Sequence, residues 1–142
     1  MFAASRAAAL AAAVLGLLCL PEAAAATPST GVSARILAQV TSGDTDYVLR
    51  EVTIQPGGST GWHYHDGTLY ALVRSGTLTR TMADCSSQVS PQGSVVVEAG
   101  GGDHVHVGRN LGSTPVTLVV LYVNPAGSPL AEDAANPGCD AA

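Results

Sequence analysis

The chain has 142 residues and a formal net charge of −5, and all six of its basic residues are arginines. This length suits one domain with one core. Affinity for nucleic acid depends on basic side chains that neutralise phosphates, so an acidic chain without a basic stripe is a poor nucleic-acid binder. The absence of lysine excludes a Schiff base, a P-loop lysine and a serine–lysine dyad.

The first 26 residues have the layout of a secretory signal peptide. Arg6 precedes an apolar run of about fourteen residues, shorter than the roughly 20 that a membrane-spanning helix needs. Pro21 ends the run, and residues 24–26 form an A-x-A cleavage pattern. We therefore expect cleavage before Thr27, a secreted protein, and no membrane association after cleavage.

The remaining chain is predicted to form short strands between glycine- and proline-rich turns. The predicted strands cover residues 33–40, 47–55, 61–65, 68–73, 77–82, 94–98, 104–107 and 115–123. Strands of this length with frequent turn signals are typical of a β-barrel or β-sandwich. We expect one all-β domain at residues 27–142, with a core at about 47–124 and a C-terminal tail at 125–142 that wraps the surface.

All four histidines lie in two HxH pairs, His63 with His65 and His104 with His106. Side chains alternate faces along a strand, so each pair points one way, while Trp62 points the other way and packs. Imidazole suits Zn, Cu, Fe and Ni. Two matched pairs predict nitrogen ligands around one divalent metal ion (Zn, Mn, Fe, Ni or Cu). Strand-end histidines that bind nothing are the alternative.

Cys85 and Cys139 remain after Cys19 is removed with the signal peptide. In an exported protein, two cysteines are typical of one disulfide. On the chain-entropy model such a crosslink contributes about 4 kcal/mol. Two free thiols are the alternative.

The first histidine pair lies in a motif that resembles one of the two cupin motifs. The cupin pattern is a glycine, five residues, H-x-H, three or four residues, a glutamate, six residues and a glycine. The matching residues here are Gly57 or Gly58, His63, His65 and Gly76. The glutamate position falls on Leu69, so the chain departs from the pattern there.

The second motif of a small single-domain cupin ends in a histidine, three residues and an asparagine, which His106 and Asn110 satisfy. The resemblance covers roughly residues 47–124. It implies a jelly roll, a conical antiparallel β-barrel, in which His63, His65 and His106 face the interior as metal ligands. Cupins often pair through strand edges, so the resemblance also implies a possible homodimer.

Three neutral imidazoles without a carboxylate would leave the ion its full charge and an open face, which favours anionic ligands. By strand alternation His104 is either a fourth ligand or an acid or base beside the site. Tyr70 is a second catalytic candidate, as a hydrogen-bond donor to a bound anion. Asp66 and Asp103 are expected to cap turns.

Two functions fit these residues. The first is a secreted metal-dependent enzyme, a dioxygenase or an isomerase, that acts on a small organic molecule. The second is a non-catalytic module that binds a sugar or an organic acid. An empty barrel whose histidines serve structure alone is a weaker third reading.

Overall fold

The structure is a computed structural model that describes residues 26–140. Residues 1–25 of the predicted signal peptide, with Cys19, lie outside the described residues, as do the last two residues of the chain. The strands are β1 (Thr30–Ser42), β2 (Thr45–Ser59), β3 (His63–Tyr64), β4 (Thr68–Ser75), β5 (Thr77–Met82), β6 (Ser87–Pro91), β7 (Val95–Glu98), β8 (His106–Arg109), β9 (Val116–Pro125) and β10 (Glu132–Asp133).

The strands form one antiparallel sheet that curls into a nearly closed barrel. Its main path runs β10-β3-β8-β2-β9-β4-β7, while β1 pairs with β2, and β5 pairs with β6 and β8. Among the described strands, β7 pairs only with β4, so the backbone ladder is interrupted between β7 and the β5–β6 pair. We call this interruption the seam. The architecture confirms the predicted all-β jelly-roll fold.

Alternating residues of the long strands fill the barrel. In β9 the inward residues are buried and the intervening ones are only partly covered, as strand pleat requires. The core residues are Val48, Val52, Ile54, Leu69, Ala71, Val73, Leu78, Val96, Val116, Leu118, Val120 and Tyr122. Full burial of each valine or leucine contributes about 1.5–3 kcal/mol relative to exposure. This core therefore fixes which face of each strand looks inward.

Two strands were not predicted, and one predicted strand starts late. β6 is largely exposed and polar, and β10 is a two-residue strand in the tail, so neither carries an apolar alternation. Gly102–His104 forms a short 3-10 helix, and β8 begins only at His106. It is the only helical segment among residues 26–140, and no helix there is long and apolar enough to span a membrane.

The tail returns to the barrel and is tied to it in two ways. β10 pairs with β3, beside the first histidine pair. A disulfide joins Cys85 to Cys139, as the sequence predicts. Cys139 packs with Trp62 and Val107 in a small apolar cluster, which agrees with the packing role expected for Trp62.

Candidate metal centre

The fold brings three of the four histidines together inside the barrel. His63 on β3 lies directly opposite His106 on β8, and His65 follows β3. The exposed fractions of His63, His65 and His106 are 9%, 2% and 3%. One ring nitrogen from each lies within 4.8 Å of the others, so the three could hold one ion. The three histidines that the cupin resemblance implies as ligands therefore do converge.

Each of these rings is oriented by a backbone carbonyl. The contacts are His63 Nδ1 to Gly61 O at 2.9 Å, His65 Nδ1 to Leu130 O at 2.6 Å, and His106 Nδ1 to His104 O at 2.7 Å. A carbonyl only accepts hydrogen bonds, so Nδ1 carries the proton and donates it. In the neutral ring this leaves the lone pair on Nε2, the arrangement of a metal-binding histidine.

A carboxylate whose side chain is 11% exposed, Glu98, lies beside two of these nitrogens. Its Oε2 is 3.2 Å from Nε2 of His65 and 3.0 Å from Nε2 of His106. Neither contact has the geometry of a hydrogen bond, and both Nε2 atoms are buried without a partner. Unpartnered buried polar groups are rare and require an explanation. A divalent ion bound by these lone pairs supplies one, so the residues fit a metal.

Arg80 fixes the other oxygen of Glu98. Arg80 is 6% exposed, and its Nη1 donates to Glu98 Oε1 at 3.1 Å. Its Nη2 donates to Gln88 Oε1 at 2.7 Å. Because Arg80 is on β5, Gln88 on β6 and Glu98 on β7, these side chains join the two edges of the seam where backbone pairing is absent.

Burial and neighbouring charge shift the acid–base properties of the site. Burial, with the neighbouring His106, lowers the pKa of His63 to about 4. For His106, burial lowers the pKa but contact with Glu98 outweighs it, and the net shift is upward. For Glu98, burial raises the pKa, but the imidazoles of His106 and His65 outweigh burial and hold the pKa well below its ordinary value.

An inner cavity and an outer cleft meet at this cluster. The inner cavity, of about 60 Å³, lies between the three histidines and the apolar core. The outer cleft, of about 450 Å³, opens at the seam and is lined by parts of β5, β6, β7 and the 3-10 helix. Arg80, Glu98 and His106 line both the inner cavity and the outer cleft. A molecule in the outer cleft therefore reaches the same residues that face the core.

The two catalytic candidates from the sequence lie elsewhere. His104 is exposed at the end of the 3-10 helix, so the argument that it shares a strand face with His106 is wrong. Its carbonyl orients His106, and its side chain lines the outer cleft without joining the histidine cluster. Tyr70 is 46% exposed on the outer face of β4, because Leu69 and Ala71 take the inner face.

Tyr122 is the tyrosine that does face the site, and the sequence argument missed it. Its side chain is 6% exposed, and its ring centroid is 5.8 Å from that of His65. Burial raises its pKa. The alternation of residues 116–124 was the signal that could have placed it inside. Asn110 secures a turn, as expected, through bonds to Ile54 O and Thr114 O.

A family model described as "Cupin domain" matches residues 50–122, which is half of the chain. The chain is a cupin. The search of curated proteins gives no match. The comparison with solved structures returns many chains of the same architecture, in agreement with the family model.

Three solved structures illustrate the likeness. The polyketide cyclase of Streptomyces resistomycificus is 19% identical, with 78% of this cupin and 79% of that chain covered and a TM-score of 0.61. A cupin-2 domain from Rhodospirillum rubrum is 16% identical, with 74% and 66% covered and a TM-score of 0.60. An oxalate oxidase in complex with glycolate is 22% identical, with 66% and 51% covered and a TM-score of 0.55. Identities this low show the fold alone.

The sequence argument left this cupin without a carboxylate at the histidines, and the structure corrects that expectation. Leu69, at the glutamate position of the motif, is buried in the core. Glu98 lies directly opposite Leu69 across the β4–β7 pair and turns toward the same interior. Alternation within residues 95–98 places Val96 and Glu98 on one face, but the sequence does not give the register that sets Glu98 beside the histidines.

Proposed function

We propose that this cupin binds one divalent metal ion (Zn, Mn, Fe, Ni or Cu) through Nε2 of His63, His65 and His106. The observation that carries the proposal is the pair of buried Nε2 atoms without hydrogen bonds, in rings whose Nδ1 atoms are engaged by carbonyls. An unpartnered buried polar atom costs about 1–3 kcal/mol. Coordination to an ion offsets that cost.

The outer cleft is the place for a small organic ligand. Its volume of about 450 Å³ is within the range of small-molecule sites. The inner cavity, at about 60 Å³, has room for one or two water molecules. Because Arg80, Glu98 and His106 line both spaces, a ligand in the cleft contacts the residues around the ion.

The proposed chemistry is that of a dioxygenase or an isomerase acting on a small organic molecule. A bound divalent ion supplies a Lewis acid with open positions for substrate. The chain itself orients the three rings, and the exposed His104 at the rim of the cleft is the side chain placed to carry a proton. The polyketide cyclase and the oxalate oxidase among the structural neighbours support small-molecule chemistry on this fold.

A non-catalytic module that binds a sugar or an organic acid is the second candidate. Of the two proton carriers expected from the sequence, Tyr70 lies on the outside of the barrel and only His104 lines the cleft. A cleft lined by only one of these two proton carriers is as well suited to binding a ligand as to catalysing its reaction.

We also propose that the protein is exported. A disulfide between Cys85 and Cys139 supports this location, because such bonds persist in oxidising compartments. The proposed ligand is then a molecule met outside the cytoplasm.

Exposed apolar side chains on the outside of the barrel support the proposal of a homodimer. Four outward side chains on β1, β2 and β4 are apolar and between 40% and 59% exposed, namely Val40, Tyr47, Tyr70 and Leu72. We call this set the outer apolar face. β1 borders it and pairs only with β2 among the described strands, so one edge of β1 is unpaired. Pairing of β1 with β1 of a second copy would cover the unpaired edge and place Val40, on β1, beside the partner strand.

The metal proposal is tested by elemental analysis of protein purified without a histidine tag. We expect about one ion per chain in the wild type, none in His63→Ala, and about one in His104→Ala, which keeps its backbone carbonyl. Unchanged metal content in a folded His63→Ala variant would refute the ligand assignment. Oxygen consumption and product analysis across thiols, diols and aromatic acids then separate an enzyme from a binding module.

A further inference from the structure

We propose that Glu98 is a fourth protein ligand of this ion, bound through Oε2 alone and held in place by Arg80. The inference rests on the proposed function, because it assigns a residue to the same metal site. It makes the carboxylate ligand a residue of β7 and gives Arg80 a positioning role.

The first argument is the spacing of atoms. Two ligand atoms about 2.1 Å from one ion, at a right angle, are about 3 Å apart. Glu98 Oε2 lies 3.0 Å and 3.2 Å from Nε2 of His106 and His65. These contacts lack hydrogen-bond geometry, so neither Nε2 has a hydrogen-bond partner although each lies at ion-pair distance from the carboxylate. A common ion explains that approach.

The second argument is the register of the sheet. In an antiparallel pair, directly opposite residues share a face and their Cβ atoms are about 4.5–5.5 Å apart. Leu69 on β4 is opposite Glu98 on β7, and Leu69 is 3% exposed. Glu98 thus enters the barrel from the strand next to β4. Leucine at position 69 does not deprive the site of a carboxylate.

The third argument is that the two oxygens of the Glu98 carboxylate have different partners. Oε1 accepts a hydrogen bond from Arg80, which Gln88 holds in turn, so Oε2 is the oxygen free to bind an ion. One carboxylate charge then offsets half of the charge of a divalent ion. The site therefore favours anions less than three neutral imidazoles would.

The test is Co²⁺ titration of the metal-free protein, read by visible absorption and by the dissociation constant. For Glu98→Gln we expect at least tenfold weaker binding and a changed cobalt spectrum, since a ligand is lost. Arg80→Gln should still bind Co²⁺, with a loss of affinity that is smaller than the loss in Glu98→Gln. Glu51→Gln is the matched control, because Glu51 also pairs with arginines but lies on the outer face of the barrel.

The outcomes separate the two proposals. Absence of Co²⁺ binding by the wild type would overturn the metal site itself. Wild-type affinity and spectrum in Glu98→Gln would overturn only the Glu98 assignment.

A measurement on the wild type covers the case in which Glu98→Gln does not fold. Residues 27–142 contain three glutamates, Glu51, Glu98 and Glu132. With ¹³C-carboxyl-labelled glutamate, Zn²⁺ should shift one carboxyl resonance strongly, and this signal should persist in Glu51→Gln and Glu132→Gln. Three unshifted resonances would contradict the inference.

Discussion

The three histidine rings are held by carbonyls from three separate parts of the chain. Gly61 lies just before β3, His104 just before β8, and Leu130 in the tail. Each bond selects the same protonated nitrogen, so the three lone pairs are presented before any ion arrives. Preorganised ligands lose less conformational freedom on binding. The orientation of His65 alone depends on the C-terminal segment.

Burial of His63 predicts a pH-dependent stability of the metal-free protein. Its pKa of about 4 is below the value near 6.5 of an unfolded chain. Between pH 6.5 and 4.5 the unfolded chain therefore binds a proton at His63 that the folded chain does not bind. The free energy of unfolding falls as the pH falls through this window. We expect a loss of about 2 kcal/mol over this window, measured by urea unfolding followed through the single tryptophan.

The shifted pKa values of His106 and Glu98 affect stability outside that pH window, so the window reports on His63. The raised pKa of His106 gives stability that is lost as pH rises above 6.5, and the lowered pKa of Glu98 gives stability that is lost below about 4.5. His63→Gln should flatten the dependence between pH 6.5 and 4.5. An equally steep decline in this variant would assign the effect to another group.

How far the sequence predicts the site differs from residue to residue. Strand alternation, a local rule, grouped the four histidines into two pairs, and the cupin resemblance implied His63, His65 and His106 as the ligands. His104 was misplaced because the preceding glycines permit a 3-10 helix, which breaks the alternation. Glu98 was not found because the β4–β7 register joins residues far apart in sequence.

At the scale of elements, the loop after β7 determines whether Glu98 reaches the histidines. A Cβ at Gly100 would lie 2.8 Å from the backbone of Asp66 and Gly67, so only glycine allows this close approach. The next residue, Gly101, donates to His65 O at 2.7 Å. The loop thereby ties the end of β7 to the turn that carries His65.

Gly100→Ala should therefore disturb both stability and metal binding. The contact is with backbone, which moves little, so we expect a loss of about 1–3 kcal/mol. Binding of Co²⁺ should weaken as Glu98 moves away. Gly102→Ala is the matched control, since its nearest side-chain neighbour would be 4.0 Å away and no positive φ is required there. Equal behaviour of the two variants in urea unfolding would contradict this account.

The elements that were predicted are those with strong apolar alternation. β5 was predicted with its observed bounds, and β2, β4, β7 and β9 differ only at their ends. β6 and β10 were not, because their pairing depends on the turn after β5 and on the disulfide-anchored tail. Tertiary context outweighs local pattern in such short strands.

At the scale of the molecule, the outer apolar face predicts a dimer through β1 and its neighbouring strands. Sedimentation of the wild type should show a dimer, and Val40→Glu should shift it to monomer, because Val40 is on β1 and a charge there resists burial in the interface. Val89→Glu is the control, since Val89 is 66% exposed on β6, outside that face. A monomeric wild type would contradict the prediction.

The C-terminal segment also helps to orient His65. Leu130, whose carbonyl orients His65, belongs to a stretch whose far end is fastened through Cys139. If thiol reductants cleave the disulfide, the tail keeps the β10 ladder, the hydrogen bond from Asn124 to Pro129 O and the packing of Leu130 on the core, but it loses one constraint on the position of the Leu130 carbonyl. Metal binding at the proposed site is therefore expected to be weaker under reducing conditions than in an oxidising compartment, because the orientation of His65 depends on that carbonyl.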